Sequence, residues 1–87
     1  MSSNFLYNMV PIEENEFGNK YHIVVEVPLD GWYDDVYFVY EKGNERISVK
    51  LNHKENKDGK IYFEGDVFLD TRAIYRYYFS YYKDGKH

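Results

Sequence analysis

The chain has 87 residues, of which 30% are charged, 21% are aromatic and none is cysteine. That length fits one domain with one core, and the missing cysteines exclude both a disulfide framework and a thiolate metal site. Eleven basic against fifteen acidic residues give a net charge of −4, which favours solubility and argues against nucleic acid as a partner.

A domain this small hides only about 60–65% of the surface its unfolded chain exposes, so large side chains must carry its stability. Eleven Tyr, six Phe and one Trp are available, and each buried ring removes roughly 150–250 Å² from water. Met1 is followed by Ser2-Ser3-Asn4, with neither the basic and apolar pattern of a signal peptide nor a run long enough to span a membrane. A cytoplasmic protein with no membrane partner is expected, or a secreted one if the natural start lies elsewhere.

In chain order, Phe5 to Val10 reads as an edge strand that stops at Pro11, where a missing N–H costs little. Three runs alternate apolar and polar residues with period two: Tyr21, Ile23, Val25, Val27 and Leu29; then Ile47, Val49 and Leu51; then Phe63, Gly65, Val67 and Leu69. Val36 to Tyr40 and Ile74 to Tyr82 are almost wholly apolar, as in strands covered on both sides or strands with a functional outer face. Turn signals separate these runs at Phe17-Gly18-Asn19, Asp30-Gly31, Lys42-Gly43-Asn44, Asp58-Gly59 and Asp84-Gly85, because Gly and Asn accept the positive φ that hairpins demand. The polar stretch Asn52 to Lys60 reads as a solvated hairpin loop.

No window carries a helical stripe. Residues 1–87 are therefore expected to form a single immunoglobulin-like antiparallel β-sandwich. Lys83-Asp84-Gly85-Lys86-His87 reads as a turn with no returning strand. The expectation is an N-terminal piece of a longer protein, with a further strand or domain covering the open edge.

From Tyr21 to Lys86 the order of features resembles the N-terminal immunoglobulin-like domain of the α-amylase superfamily. This is the family 34 carbohydrate-binding module of neopullulanases, cyclomaltodextrinases and maltogenic amylases. The resemblance rests on a strand ending in Pro28-Leu29 and on Asp34, Asp35 and Val36 opening the next. It continues in Tyr62-Phe63-Glu64-Gly65-Asp66-Val67-Phe68-Leu69-Asp70-Thr71 and in Arg76-Tyr77-Tyr78-Phe79 with Asp84-Gly85-Lys86. It implies an accessory domain ahead of a barrel that hydrolyses α-glucans, with the catalytic carboxylates in that barrel. The implied partners are the enzyme's own catalytic domain or a second subunit, and an α-glucan or maltooligosaccharide held weakly.

Sugar rings present apolar C–H faces edged by hydroxyls, so a glucan site needs aromatic platforms beside polar groups. If Tyr77, Phe79 and Tyr81 face the core, then Arg76, Tyr78, Ser80 and Tyr82 face out. Tyr62 and Phe68 point outward on the preceding strand, beside Glu64 and Asp66, and the two strands would lie side by side. Tyr78 and Tyr82 are candidate sugar platforms, and Tyr62 and Phe68 candidate interface residues. For Tyr78, Tyr82 and Phe68 the favoured reading is a surface covered by another domain or subunit, with sugar binding second. Trp32 and Tyr33, in a loop with Asp34 and Asp35, are a second candidate platform, and Trp32 capping one end of the sandwich is the competing reading.

No metal or cofactor is expected. Asp30, Asp34 and Asp35 match no EF-hand spacing, and His22, His53 and His87 are too scattered for zinc. Glu64 and Asp66 share a face about 7 Å apart, yet on an open sheet they stay ionised and lack the burial that makes a general acid. The expected function is therefore a non-catalytic accessory domain of an α-glucan-acting hydrolase. A structural or adhesive immunoglobulin-like module and an independent starch-binding module are the alternatives.

Overall fold

The computed structural model describes residues 6–28, 33–70 and 76–83. They form six strands: β1 (Leu6–Asn15), β2 (Gly18–Pro28), β3 (Tyr33–Lys42), β4 (Glu45–Lys57), β5 (Lys60–Asp70) and β6 (Arg76–Lys83). Every ladder is antiparallel, and the strands make one hydrogen-bonded sheet in the order β1-β2-β5-β4-β3-β6. The domain is all-β, as the alternation predicts. The expected turns at Asp30-Gly31 and Asp84-Gly85 lie outside the described residues.

Turn chemistry sets the hairpins. Asp58 and Gly59 join β4 to β5 with φ of 53° and 76°, the pair of positive values that a type I′ turn requires and that matches strand twist. Gly43 takes φ of 60° as the first turn residue between β3 and β4, the position glycine fills in a type II′ turn. Between β1 and β2 the Asn15 side chain closes the turn, its Oδ1 accepting from the N–H of Phe17 at 2.8 Å and of Gly18 at 3.1 Å.

The core follows from the alternation. Ile23, Val25 and Val27 of β2, Val36 and Phe38 of β3, Leu51 of β4, and Ile61, Phe63 and Val67 of β5 form one buried cluster. Each such side chain contributes about 1.5–3 kcal/mol by leaving water. Across β2 and β5 the inward residues pair directly, Val25 with Phe63 and Val27 with Ile61, while Ile23 stands opposite Gly65. A Cβ on Gly65 would come within 2.7 Å of Leu51 Cδ2, so the glycine leaves the space that Leu51 fills.

A flat six-stranded sheet would hold its end strands roughly 24 Å apart, five spacings of about 4.8 Å. Yet the rings of Tyr7 on β1 and Phe79 on β6 are 5.1 Å apart. The sheet therefore bends over its own core, without closing, since β1 and β6 share no ladder among the described residues. The bend falls in β4, whose residues 45–51 pair with β3 and whose residues 52–57 pair with β5.

Three expectations are corrected. β1 does not stop at Pro11 but continues to Asn15, its register shifting between Pro11 and Glu13. The strand lies at an edge, where a bulge absorbs the irregularity. Asn52 to Lys57 is strand rather than loop, because backbone pairing with β5 holds it although its side chains all face solvent. Finally, β5 and β6 are not neighbours, since β5 has β2 on one side and β4 on the other.

Candidate ligand groove on the outer face of β3, β4 and β6

Residues of β3 alternate between core and outer face, with Val36 and Phe38 inward and Tyr37 and Val39 outward. Pairing in register sets Lys50 of β4 and Ser80 of β6 on either side of Tyr37, and Ser48 and Tyr78 on either side of Val39. Tyr82 stands opposite Asp35 in the same continuous register, and the β3–β6 ladder shifts only beyond that pair, between Asp35 and Tyr33. A shallow groove of about 260 Å³ results, lined by Tyr37, Val39, Arg46, Ser48, Tyr78, Ser80 and Tyr82.

The groove has an apolar floor. Val39 is only 3% exposed although it faces away from the core, so its neighbours on the outer face shield it. Tyr78 and Tyr82 remain about two-fifths exposed, with ring surface open to a ligand. Arg46 brings the one formal charge to the lining, and Glu41 lies 3.6 Å from its guanidinium. Asp35, near the other end, meets Lys50 at 3.2 Å. Aromatic walls, hydroxyls and offset charge suit stacking and hydroxyl contacts better than recognition of an ion.

The candidate residues fall in different places. Tyr78 and Tyr82 share this groove. Tyr33, at the start of β3, instead packs against the core with its ring 5.6 Å from that of Tyr81, so it is not part of the groove. Trp32 lies outside the described residues. Tyr62 and Phe68 sit on the outer face of the other half, because β5 pairs with β2 and β4. Tyr62 lines a smaller hollow with Leu6, Asn8, Val24 and Glu26, and Phe68 lies over Gly18, where a Cβ would meet its ring at 2.7 Å.

Tyr37 was not singled out from the sequence, although alternation within Val36 to Tyr40 carried the signal. Both faces of that run are apolar, so no polar residue marked which side was outer.

The histidines are accounted for differently. His22 lies between two β5 carboxylates, with Nδ1 2.7 Å from Asp66 Oδ1 and Nε2 3.3 Å from Glu64 Oε1. The carboxylates flank opposite sides of the ring, so the three groups do not converge on one point. His53 Nε2 is 2.7 Å from Asn56 Oδ1, and its ring meets that of Phe63 edge-on. Among the described residues no group of three His, Asp or Glu is placed to hold a metal ion, and no polar or charged side chain is buried.

No protein-family model matches the chain, and neither the curated proteins nor the solved structures give a significant match.

Proposed function

We propose that this chain is a non-catalytic accessory domain that holds a neutral carbohydrate weakly in the groove of β3, β4 and β6. The observation that carries this reading is the placing of Tyr37, Tyr78 and Tyr82 on the same face as the shielded Val39, with Ser80 between Tyr78 and Tyr82 and Ser48 on the far side of Val39. Ring faces of this kind stack on the C–H faces of sugars, and hydroxyls supply the directional contacts. Asp35 and Glu41, the carboxylates nearest the groove, each pair with a cation.

Strand order supports the finer reading of an immunoglobulin-like domain. The run β1-β2-β5-β4 and the pair β3-β6 follow the A-B-E-D and C-F neighbours of that fold, with β4 bridging the two groups. Together with the resemblance in Tyr62 to Thr71 and Arg76 to Phe79, this supports an accessory role in an α-glucan-acting hydrolase. In that role the ligand is an α-glucan, and Tyr62 and Phe68 face the catalytic domain or a second subunit.

A titration with maltooligosaccharides and β-cyclodextrin, following amide shifts, tests the reading. Shifts confined to residues of the groove are expected. Their absence at millimolar sugar removes the carbohydrate reading and leaves a structural or adhesive module. That alternative draws on the exposed Leu6, Val10 and Phe68 of the opposite face.

A further inference from the structure

Resting on that reading, we infer that the groove takes an oligosaccharide laid along β6, with Tyr37 as its central contact and the Tyr78 and Tyr82 rings at its two ends. Tyr78 and Tyr82 are four residues apart on one strand, which separates them by about 13 Å. One hexose is shorter than that distance and cannot touch both rings. Tyr37 stands opposite Ser80, the residue midway between the two tyrosines, so its ring fills the gap one strand to the side. The three residues therefore form a shallow triangle whose long side runs along β6.

The direction of this long side is set by the fold. Strands β4 and β3 end their shared hairpin at Gly43 and Asn44, and the Glu41–Arg46 pair lies at that end of the groove, beyond Tyr78. Towards the other end Asp35 and Lys50 pair, beside Tyr82. A ligand lying across the strands meets serine and charged residues after one ring. One lying along them meets Tyr78, then Ser80 with Tyr37 beside it, then Tyr82.

The test compares glucose, maltose, maltotriose and maltohexaose by amide-shift titration, with affinities expressed per glucose unit. The hexasaccharide should bind at least about tenfold more tightly than glucose, a difference of about 1.4 kcal/mol. Tyr37→Thr, which keeps a strand-forming residue at the position, should remove most of that gain. Tyr82→Ala, at an exposed site, should weaken the hexasaccharide while leaving maltose nearly unchanged. Equal affinity for glucose and the hexasaccharide, or an unaltered length dependence in Tyr82→Ala, overturns the track even where sugar binds. An absence of shifts with every sugar instead overturns the carbohydrate reading beneath it.

Discussion

The phenol oxygens of Tyr7 and Tyr77 lie 2.8 Å apart, and this hydrogen bond joins β1 to β6, the two ends of the strand order. The rings meet edge to face at 6.1 Å. The Tyr77 phenol titrates above its ordinary value because of its hydrogen bond to Tyr7, with partial burial adding to the effect. A raised acid of this kind holds its proton more tightly in the folded state. Its contribution is complete below the ordinary tyrosine range near pH 10 and declines as pH rises through the folded value.

Tyr7→Phe removes that link. It is expected to lower stability by about 0.5 kcal/mol, the low end for a hydrogen bond at a partly exposed site. Tyrosinate absorbance during alkaline titration should show Tyr77 ionising at lower pH than in the parent, and the loss of stability above pH 10 should become shallower. An unchanged Tyr77 titration would show that burial alone raises it.

Phe38 is fully buried, and its ring contacts those of Tyr40, Tyr77 and Phe79 at 5.3–6.0 Å. Phe38→Ala should cost about 3–5 kcal/mol, most of the stability that a domain of this size commonly has. Thermal unfolding should lose its cooperative transition. Phe38→Leu should keep a transition at lower temperature.

Gly65→Ala places a methyl group 2.7 Å from Leu51 Cδ2 and should destabilise by about 1–3 kcal/mol through overpacking. The same change made in a Leu51→Ala background should cost far less, because the obstructing atom is gone. Denaturant unfolding of the four proteins of this cycle measures the coupling. Equal costs in both backgrounds would place the penalty elsewhere.

Gly59→Ala tests the turn. A Cβ at this glycine would meet nothing within 4 Å, so the expected cost of about 1–2 kcal/mol comes from holding an L residue at positive φ. Gly59→Asn, a residue that tolerates this conformation, should recover much of the loss. The midpoint of urea unfolding reports both.

Much of this fold is legible in the sequence, because alternation states directly which side of a strand faces the core. Ile23, Val25 and Val27 announce the inner face of β2, and Asp58-Gly59 announces the turn between β4 and β5. Alternation does not say which strand lies beside which, so β5 was expected next to β6 rather than between β2 and β4. Nor does it reveal a strand held mainly by backbone pairing, as in Asn52 to Lys57, where the side chains are polar throughout and only His53 is seen to reach a core ring among the described contacts. Of the candidate site, Tyr78 and Tyr82 were visible because Tyr77, Phe79 and Tyr81 fixed the opposite face. Tyr37 was hidden by apolar neighbours on both sides, and the core-packed setting of Tyr33 depends on Tyr81, 48 positions further along the chain.

Among the described residues, strand β4 is the only element whose ladders reach both halves of the bent sheet. The margin opposite this bend is spanned by the Tyr7–Tyr77 hydrogen bond, so the two outer surfaces are tied on both sides of the core, by continuous backbone at one and by a pair of side chains at the other.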